Sequence, residues 1–171
     1  FDGKASRFED LRRKVADAIG AQSSTTDVSS FFDMFPMRAL AADVFSVVED
    51  ARIDANLIQR YKGLQEHYYK VQEETLQNRS PIHDMPGQQA LVELLIRLSL
   101  HQSQNAQVPT QFVQQAQEIA ALLRQVQDPN ATVEDTAEAT LRIYHLISQV
   151  PNDEIPPDDW EETNLSDTEF S

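Results

Sequence analysis

The strongest indication of the fold is the segment Met37–Lys62, which has the sequence MRALAADVFSVVEDARIDANLIQRYK. Its apolar residues recur every three or four positions, as they do on the buried face of a helix. One stripe consists of Leu40, Val44, Val47, Val48, Ala51, Ala55 and Ile58, and a neighbouring stripe consists of Phe45, Ile53, Leu57 and Tyr61. Because the two stripes cover much of its circumference, we expect this helix to be central. Pro36 marks its start, and Gly63 followed by Leu64 indicates a glycine C-cap.

Five further helices are expected, since the same spacing recurs along the chain. They cover Ser6–Ile19, Leu64–Asn78, Gln88–His101, Thr110–Gln127 and a last segment that begins after Thr132 and closes at Pro151. Thr132 and Asp135 form a capping box at the start of the last helix. In the Leu64–Asn78 helix the expected inward side chains are Leu64, Tyr68, Val71 and Thr75. The sequence therefore predicts an all-α fold, an irregular bundle of about six helices within residues 1–151.

A run of bulky apolar residues precedes the central helix. It consists of Phe31, Phe32, Met34 and Phe35 and follows a small, polar stretch at residues 21–30 that is typical of a mobile linker. Side chains of this size either become buried or form a docking patch for a partner. The sequence leaves both alternatives open.

Composition restricts the class of protein. The chain has 171 residues, a net charge of −14, four glycines and no cysteine. Such a charge repels nucleic acid and anionic surfaces, so we expect neither nucleic acid nor membrane as a partner. No apolar stretch is long enough to span a bilayer and no signal-peptide pattern is present, so we expect a cytoplasmic protein. Because the chain begins at Phe1 and not at a methionine, we expect it to be an excerpt of a longer protein.

The segment at residues 152–171 differs from the rest of the chain. It contains eight acidic residues, no basic residue and the adjacent prolines Pro156 and Pro157. Few apolar groups among many like charges do not repay the entropy of ordering a chain. We therefore expect a disordered or extended acidic linker or tail.

Recognisable catalytic motifs are missing from the sequence. The histidines His67, His83, His101 and His145 never stand four residues apart, as two zinc ligands on one helix face would. No His-Glu-x-x-His string, Gly-x-Ser-x-Gly elbow or glycine-rich phosphate loop occurs. The expectation is a protein without enzymatic activity and without a cofactor.

The central helix carries a charged cluster formed by Glu49, Asp50, Arg52 and Asp54. Glu49 shares a helix face with apolar residues, where a carboxylate is costly unless it is paired. Arg52, three residues later, is placed to pair with it. We interpret the cluster as a structural ion pair, with a cation site that uses Glu49 together with Asp50 or Asp54 as the alternative. Whether any metal binds is left open.

Two stretches resemble a known family. The run Leu40–Leu64, which contains Val-Glu-Asp-Ala-Arg-Ile-Asp and then Gly63-Leu64, is similar to a segment of NorD-type nitric-oxide-reductase activation proteins and related CobT-like chaperones. Asp135–Tyr144, with the sequence DTAEATLRIY, resembles their helical region. The resemblance implies a helical region ahead of a C-terminal von Willebrand A domain, in a protein that assists a MoxR-type AAA+ ATPase in maturing a metalloenzyme. It implies no nucleotide or Mg²⁺ site here, because the chain lacks both the A domain and a nucleotide loop.

These observations favour a non-catalytic interaction or scaffold domain of a larger chaperone-like protein. Its expected partners are a MoxR-type AAA+ ATPase or a von Willebrand A domain of the same protein. One alternative is part of a metal-dependent hydrolase, with Glu49 as a ligand and the other ligands outside this chain. Another is a peptide-binding helical module with a groove between its last helices, although no phased helix-pair repeat is present.

Overall fold

The central helix is contacted by four other helices, as its apolar stripes predict. The computed structural model describes residues 25–100, 106–156 and 161–165. Its helices are α1 (Thr25–Asp33), α2 (Arg38–Arg60), α3 (Gln65–Gln77), α4 (Gly87–Ser99), α5 (Val113–Val126) and α6 (Val133–Ser148). The central helix is α2, which contacts α1, α4, α5 and α6. The described part of the chain is thus an all-α, irregular bundle. The predicted helix Ser6–Ile19 lies outside it.

The main core lies where α2, α4, α5 and α6 meet. From α2 it takes Val44, Val48 and Ala51, and from α4 it takes Ala90, Leu91, Leu94, Leu95 and Leu98. Ile119 and Leu123 of α5 and Ile143 and Ile147 of α6 complete its centre, all four with at most 2% of their surface exposed. Burying one such side chain stabilises a fold by roughly 1.5–3 kcal/mol. The predicted capping box starts α6, where the Thr132 backbone N–H donates to Asp135 Oδ2 at 2.7 Å.

A second, smaller cluster lies at the start of α2. It consists of Phe31, Phe35, Ala41, Ala137 and Leu141, with Phe32, Met34, Phe45 and Tyr144 packed against it. The rings of Phe35 and Tyr144 meet at a centroid distance of 4.7 Å, and the Tyr144 hydroxyl accepts the Met37 N–H at 3.1 Å. This cluster fixes α1 and the turn after it to α6. The predicted linker at residues 21–30 is wrong from Thr25 onward, where α1 begins.

Parts of the predicted acidic tail pack on the helical body. β1 (Gln107–Pro109) and β2 (Glu162–Asn164) form an antiparallel two-stranded sheet. Leu165, directly after β2, joins the main core with 3% of its surface exposed. Asp153 is also held, because its carbonyl accepts the Gly87 N–H at 3.1 Å. The expectation of a free linker is therefore wrong for residues 152–156 and 161–165, while β2 is extended as predicted. Glu162 of β2 remains exposed to water, while Leu165, three residues later, is buried in the core.

The second half of α2 is less buried than its sequence predicts. Its buried residues end at Ala51, and Ile53 and Tyr61 are exposed. The physical reason is length: α2 has 23 residues, whereas α4, α5 and α6 have 13 to 16. At 1.5 Å per residue, α2 is about 35 Å long and its partners are at most about 24 Å long. The last turns of α2 therefore extend past the helices that bury its first half.

Two further predictions around α3 are wrong. α2 ends at Arg60 and its C-cap residue is Tyr61, which has a φ of −124°. Gly63 lies in the following 3-10 turn, Lys62–Leu64, so the predicted glycine C-cap does not form. The inward face predicted for α3 is largely exposed, since Leu64, Val71 and Thr75 are exposed. Gln72 is the buried residue of this helix. The predicted face has little apolar surface to pack on because α3 follows the protruding end of α2.

No helix in residues 25–100 and 106–156 combines the length and the apolar composition needed to cross a membrane.

Candidate functional site

The charged cluster of α2 is divided between two environments. Glu49 and Arg52 form a two-point ion pair, with Arg52 Nη2 at 2.5 Å from Oε1 and Arg52 Nε at 3.0 Å from Oε2. Both side chains are largely buried, with 18% of Glu49 and 17% of Arg52 exposed. Thr136 on α6 donates its hydroxyl to Glu49 Oε2 at 2.7 Å. Each carboxylate oxygen of Glu49 is thus already engaged.

The environment of Glu49 favours its charged form. Burial disfavours the anion, but the hydrogen bonds from Arg52 and Thr136 and the charge of Arg52 outweigh burial and hold the pKa of Glu49 below its usual value. The hydrogen bond to Glu49 raises the pKa of Arg52, which burial opposes. The ion pair lies within α2, and the Thr136 hydroxyl connects it to α6. This arrangement is suited to fixing the packing of the two helices, because breaking the pair leaves a buried charge unpaired.

Asp50 and Asp54 face the α3 side of the helix. Asp54 accepts the Tyr68 hydroxyl of α3 at 2.5 Å, and this bond raises the pKa of Tyr68 to about 12. Asp50 is exposed, and partial desolvation followed by the charges of Asp54 and Glu49 raises its pKa. The four residues do not converge on one point. Within the described ranges no group of three or more His, Asp or Glu side chains is arranged to hold a metal ion.

The aromatic run offers less docking surface than its composition allows. Phe31 and Phe35 are buried, with 5% and 6% of their surface exposed. Phe32 and Met34 are half-buried against the same cluster. The sequence left burial and docking open as alternatives for this run. Phe31 and Phe35 are buried, so only Phe32 and Met34 keep part of their surface exposed.

The most buried carboxylate of the described chain escaped the sequence analysis. Glu93 of α4 has a side-chain exposure of 7% and accepts from Arg79 at 2.5 and 2.7 Å and from Arg97 at 3.2 Å. Burial opposes its charge, yet the hydrogen bonds from both arginines hold the pKa of Glu93 below its usual value. The i,i+4 spacing of Glu93 and Arg97 was the available indication. Arg79, fourteen residues earlier, could be found only in three dimensions.

The turn between α2 and α3 presents large apolar side chains to solvent. Their exposed fractions are 48% for Ile53, 59% for Tyr61, 46% for Leu64 and 48% for Val71. We call these four residues the hairpin strip. The bond between Tyr68 and Asp54 sets which helix faces meet, and the helical rotation then turns Ile53 and Val71 to the same side of the hairpin. The α2–α3 helix pair thus leaves four large apolar side chains exposed, with Ile53 and Val71 on one side of it.

The comparisons with known proteins give no relative: no family model, no curated protein and no solved structure matches this chain.

A groove of about 630 Å³ lies between the end of α5 and the start of α6. Five of its seven lining residues are polar or charged, and the set is Ala121, Arg124, Gln125, Asp128, Asn130, Ala131 and Asp135. It adjoins the ion pair, since Arg52 Nη1 reaches the Ala131 carbonyl at 3.5 Å. The described surface therefore has two features that a binding partner can use, the apolar hairpin strip and this polar groove.

Proposed function

We propose that this chain is a non-catalytic helical interaction domain of a larger chaperone-like protein and that the hairpin strip is its contact surface. The observation that carries the proposal is the exposure of Ile53, Tyr61, Leu64 and Val71 on one projecting helix pair. Leaving such side chains in water forgoes roughly 25 cal/mol for each Å² that a partner would bury. Contiguous exposed apolar surface in a folded domain is characteristic of a contact site.

The helix that carries part of the strip is weakly fixed to the body. In α3 the buried residue is Gln72, which is polar. A helix of 13 residues is marginal in water unless an apolar face packs on something. A partner that covers Leu64 and Val71 would supply this packing, so binding would stabilise the hairpin as well as hide the strip.

The charged cluster supports a structural role in place of a chemical one. Both oxygens of Glu49 are engaged by Arg52 and Thr136, so a metal or substrate would first have to displace an ion pair. The two stretches that resemble NorD- and CobT-like proteins also lie on helices in contact, α2 and α6. On that resemblance, the expected partner is a MoxR-type AAA+ ATPase or a von Willebrand A domain.

The proposal is tested by titrating the full chain with a purified MoxR-type ATPase and, separately, with a von Willebrand A domain of a NorD- or CobT-like protein. We expect binding to one of them, weakened at least about tenfold by Ile53→Ser/Val71→Ser, which corresponds to about 1.4 kcal/mol. Gln114→Ser on the exposed face of α5 is the matched control and should bind normally. Absence of binding to both proteins, or equal affinity of the strip variant, would contradict the proposal.

The groove between α5 and α6 favours a second candidate, a peptide-binding module. The same titration separates the two functions. Ala121→Trp fills the groove and leaves the hairpin strip intact. A peptide-binding domain would lose its ligand through Ala121→Trp and keep it in the strip variant, which is the opposite of our expectation.

The metal-hydrolase alternative has its own test. Equilibrium dialysis of the full chain against Zn²⁺ or Mn²⁺ would show stoichiometric binding if Glu49 is a ligand, and Glu49→Ala would abolish it. We expect no such Glu49-dependent binding, because a cation would have to replace Arg52.

A further inference from the structure

One side of the α2–α3 helix pair is open to solvent from the α2–α3 turn back to Asp43. Its residues follow one another at alternating steps of three and four, the spacing of a helix face that pairs with another helix. They are Asp43, Ser46, Asp50, Ile53, Leu57 and Arg60 on α2, and Leu64, His67, Val71, Glu74 and Asn78 on or beside α3. Leu57 is half-buried and the others are exposed. We call this set the hairpin face.

The charge changes sign along the hairpin face. The end at the α2–α3 turn is basic, because it carries Arg60 and is followed by the exposed Lys62. The opposite end is acidic, since it carries Asp50 and Glu74, with Asp43 beyond them. The apolar side chains of α2 lie between the two ends.

The other charges of the two helices lie off this face. Asp54 points to α3, where a hydroxyl binds it. Lys70 stands on the outer side of α3, four residues after Glu66 and three before Glu73, so its charge is offset there. The buried ion pair of α2 is neutral as a unit. The hairpin face therefore keeps one basic and one acidic end.

A surface with this pattern is complementary to itself. A twofold axis beside Ala55 would turn a second copy end for end, which places Ile53 of one chain opposite Leu57 of the other. Asp50 then lies opposite Arg60, because both are five residues from Ala55. We propose that the hairpin face is the contact surface of a homodimer, in which the α2 helices of the two chains run antiparallel. The two helix pairs would form a four-helix bundle.

The charged residues of this contact are available for it. Within the described chain neither Asp50 nor Arg60 has an oppositely charged partner. Partial desolvation, followed by the charges of Asp54 and Glu49, raises the pKa of Asp50. A guanidinium from a second copy would offset this local excess of negative charge.

The size of the hairpin face fits a weak dimer. From Asp43 to Arg60 it is about 26 Å long, and two adjoining helices are about 20 Å wide. The resulting patch of about 500 Å² lies at the low end of specific interfaces. The net charge of −14 opposes association, but at physiological ionic strength exposed charges more than about 8 Å apart are largely screened. We therefore expect the dimer to dissociate on dilution.

This inference goes beyond the proposed function and does not depend on it. The dimer would cover Ile53 and Val71, which are assigned to a partner above, so the two complexes would exclude each other.

Sedimentation equilibrium of the full chain at physiological ionic strength tests the proposal. We expect a dimer that Ile53→Ser/Val71→Ser weakens at least about tenfold, or about 1.4 kcal/mol. Asp50→Arg and Arg60→Glu should each weaken it by roughly three- to tenfold, because each places like charges together at two symmetric contacts. Glu118→Arg on the exposed side of α5 is the matched control for a reversed charge and should not weaken the dimer.

A mixture of the two charge variants decides the arrangement. When Asp50→Arg and Arg60→Glu chains are mixed, every contact between unlike chains joins opposite charges, so we expect a heterodimer tighter than either homodimer. The double variant Asp50→Arg/Arg60→Glu should recover the dimer for the same reason.

Three results would overturn the proposal. They are a chain that stays monomeric up to millimolar concentration, a dimer that the serine variant does not weaken, and charge variants that associate no better when mixed than alone. None of these measurements contains a partner protein. Failure of the proposed function is seen separately, as the absence of binding to both candidate partners.

Discussion

Thr136 on α6 donates a hydrogen bond to Glu49 on α2 across 87 residues of sequence, with 2.7 Å between Oγ1 and Oε2. The bond adds to the ion pair that Glu49 makes with Arg52 on its own helix. Thr136 is completely buried, so its hydroxyl has no access to water as an alternative partner. The contact ties together the two helices with the most extensive packing in the described bundle.

Replacing Glu49 should therefore destabilise the fold. We expect Glu49→Gln to lower the free energy of unfolding by about 2–3 kcal/mol, because it leaves Arg52 without its counter-charge in a largely buried site. Glu49→Gln/Arg52→Met should recover part of the loss. Urea midpoints at constant slope measure both changes. Asp33→Asn is the control, since its pair with Arg38 is exposed and worth about 1 kcal/mol or less. If Glu49→Gln and Asp33→Asn lowered the free energy of unfolding equally, burial of the Glu49 pair would contribute nothing to stability.

The two arginines that bind Glu93, Arg79 and Arg97, should make the free energy of unfolding depend on pH. The pKa of Glu93 is lower in the folded chain than its ordinary value. The unfolded chain therefore takes up this proton at a higher pH, so the contribution is fully present above the ordinary carboxyl pKa and is lost as pH falls through the folded value. We expect Glu93→Gln to be less stable than the parent at pH 7 and the difference to shrink toward pH 3. Urea titrations at both pH values measure it, and a constant difference would contradict the assignment.

Removing residues 152–171 should lower the melting temperature. The deletion takes away β2, the Asp153 contact with Gly87 and the buried side chain of Leu165. Leu165→Ala alone is expected to cost about 2–3 kcal/mol, which for a domain of this size is roughly 4–12 °C. Glu162→Ala, exposed on the same strand, should have little effect. A melting temperature unchanged by the deletion would show that the segment is a free linker after all.

Two glycines should respond in opposite ways to alanine. A Cβ at Gly87 would lie 2.5 Å from the Pro151 carbonyl oxygen, so Gly87→Ala forces the α4 start and the chain after α6 apart. We expect a loss of about 1–3 kcal/mol. At Gly63 nothing lies within 4 Å of such a Cβ, and Gly63→Ala should be neutral or stabilise by about 0.4–1 kcal/mol. Thermal melts of both variants measure the contrast. Destabilisation by Gly63→Ala would restore the glycine C-cap that the sequence predicted.

Local patterns identified most of the helical framework. The α2 helix, the capping box of Thr132 and Asp135, and the proximity of Glu49 to Arg52 all depend on residues within one or a few turns, where helical spacing fixes the relative position of side chains. The places where local patterns failed depend on length and on distant partners. The exposure of Val71 follows from the end of α2 extending beyond its neighbours, which no local window contains.

The sequence by itself determined that this protein is helical, which helix is central and which acid and base pair on it, because these properties follow from the periodicity of apolar and charged residues. Tertiary structure alone decided that Thr136 completes the Glu49 site, that Arg79 reaches Glu93, that Leu165 enters the core and that Ile53 and Val71 remain in water. The physical reason is that burial and hydrogen-bond partners depend on which surfaces meet in space. These contacts are made between residues tens of positions apart in the sequence, and a local pattern does not specify them.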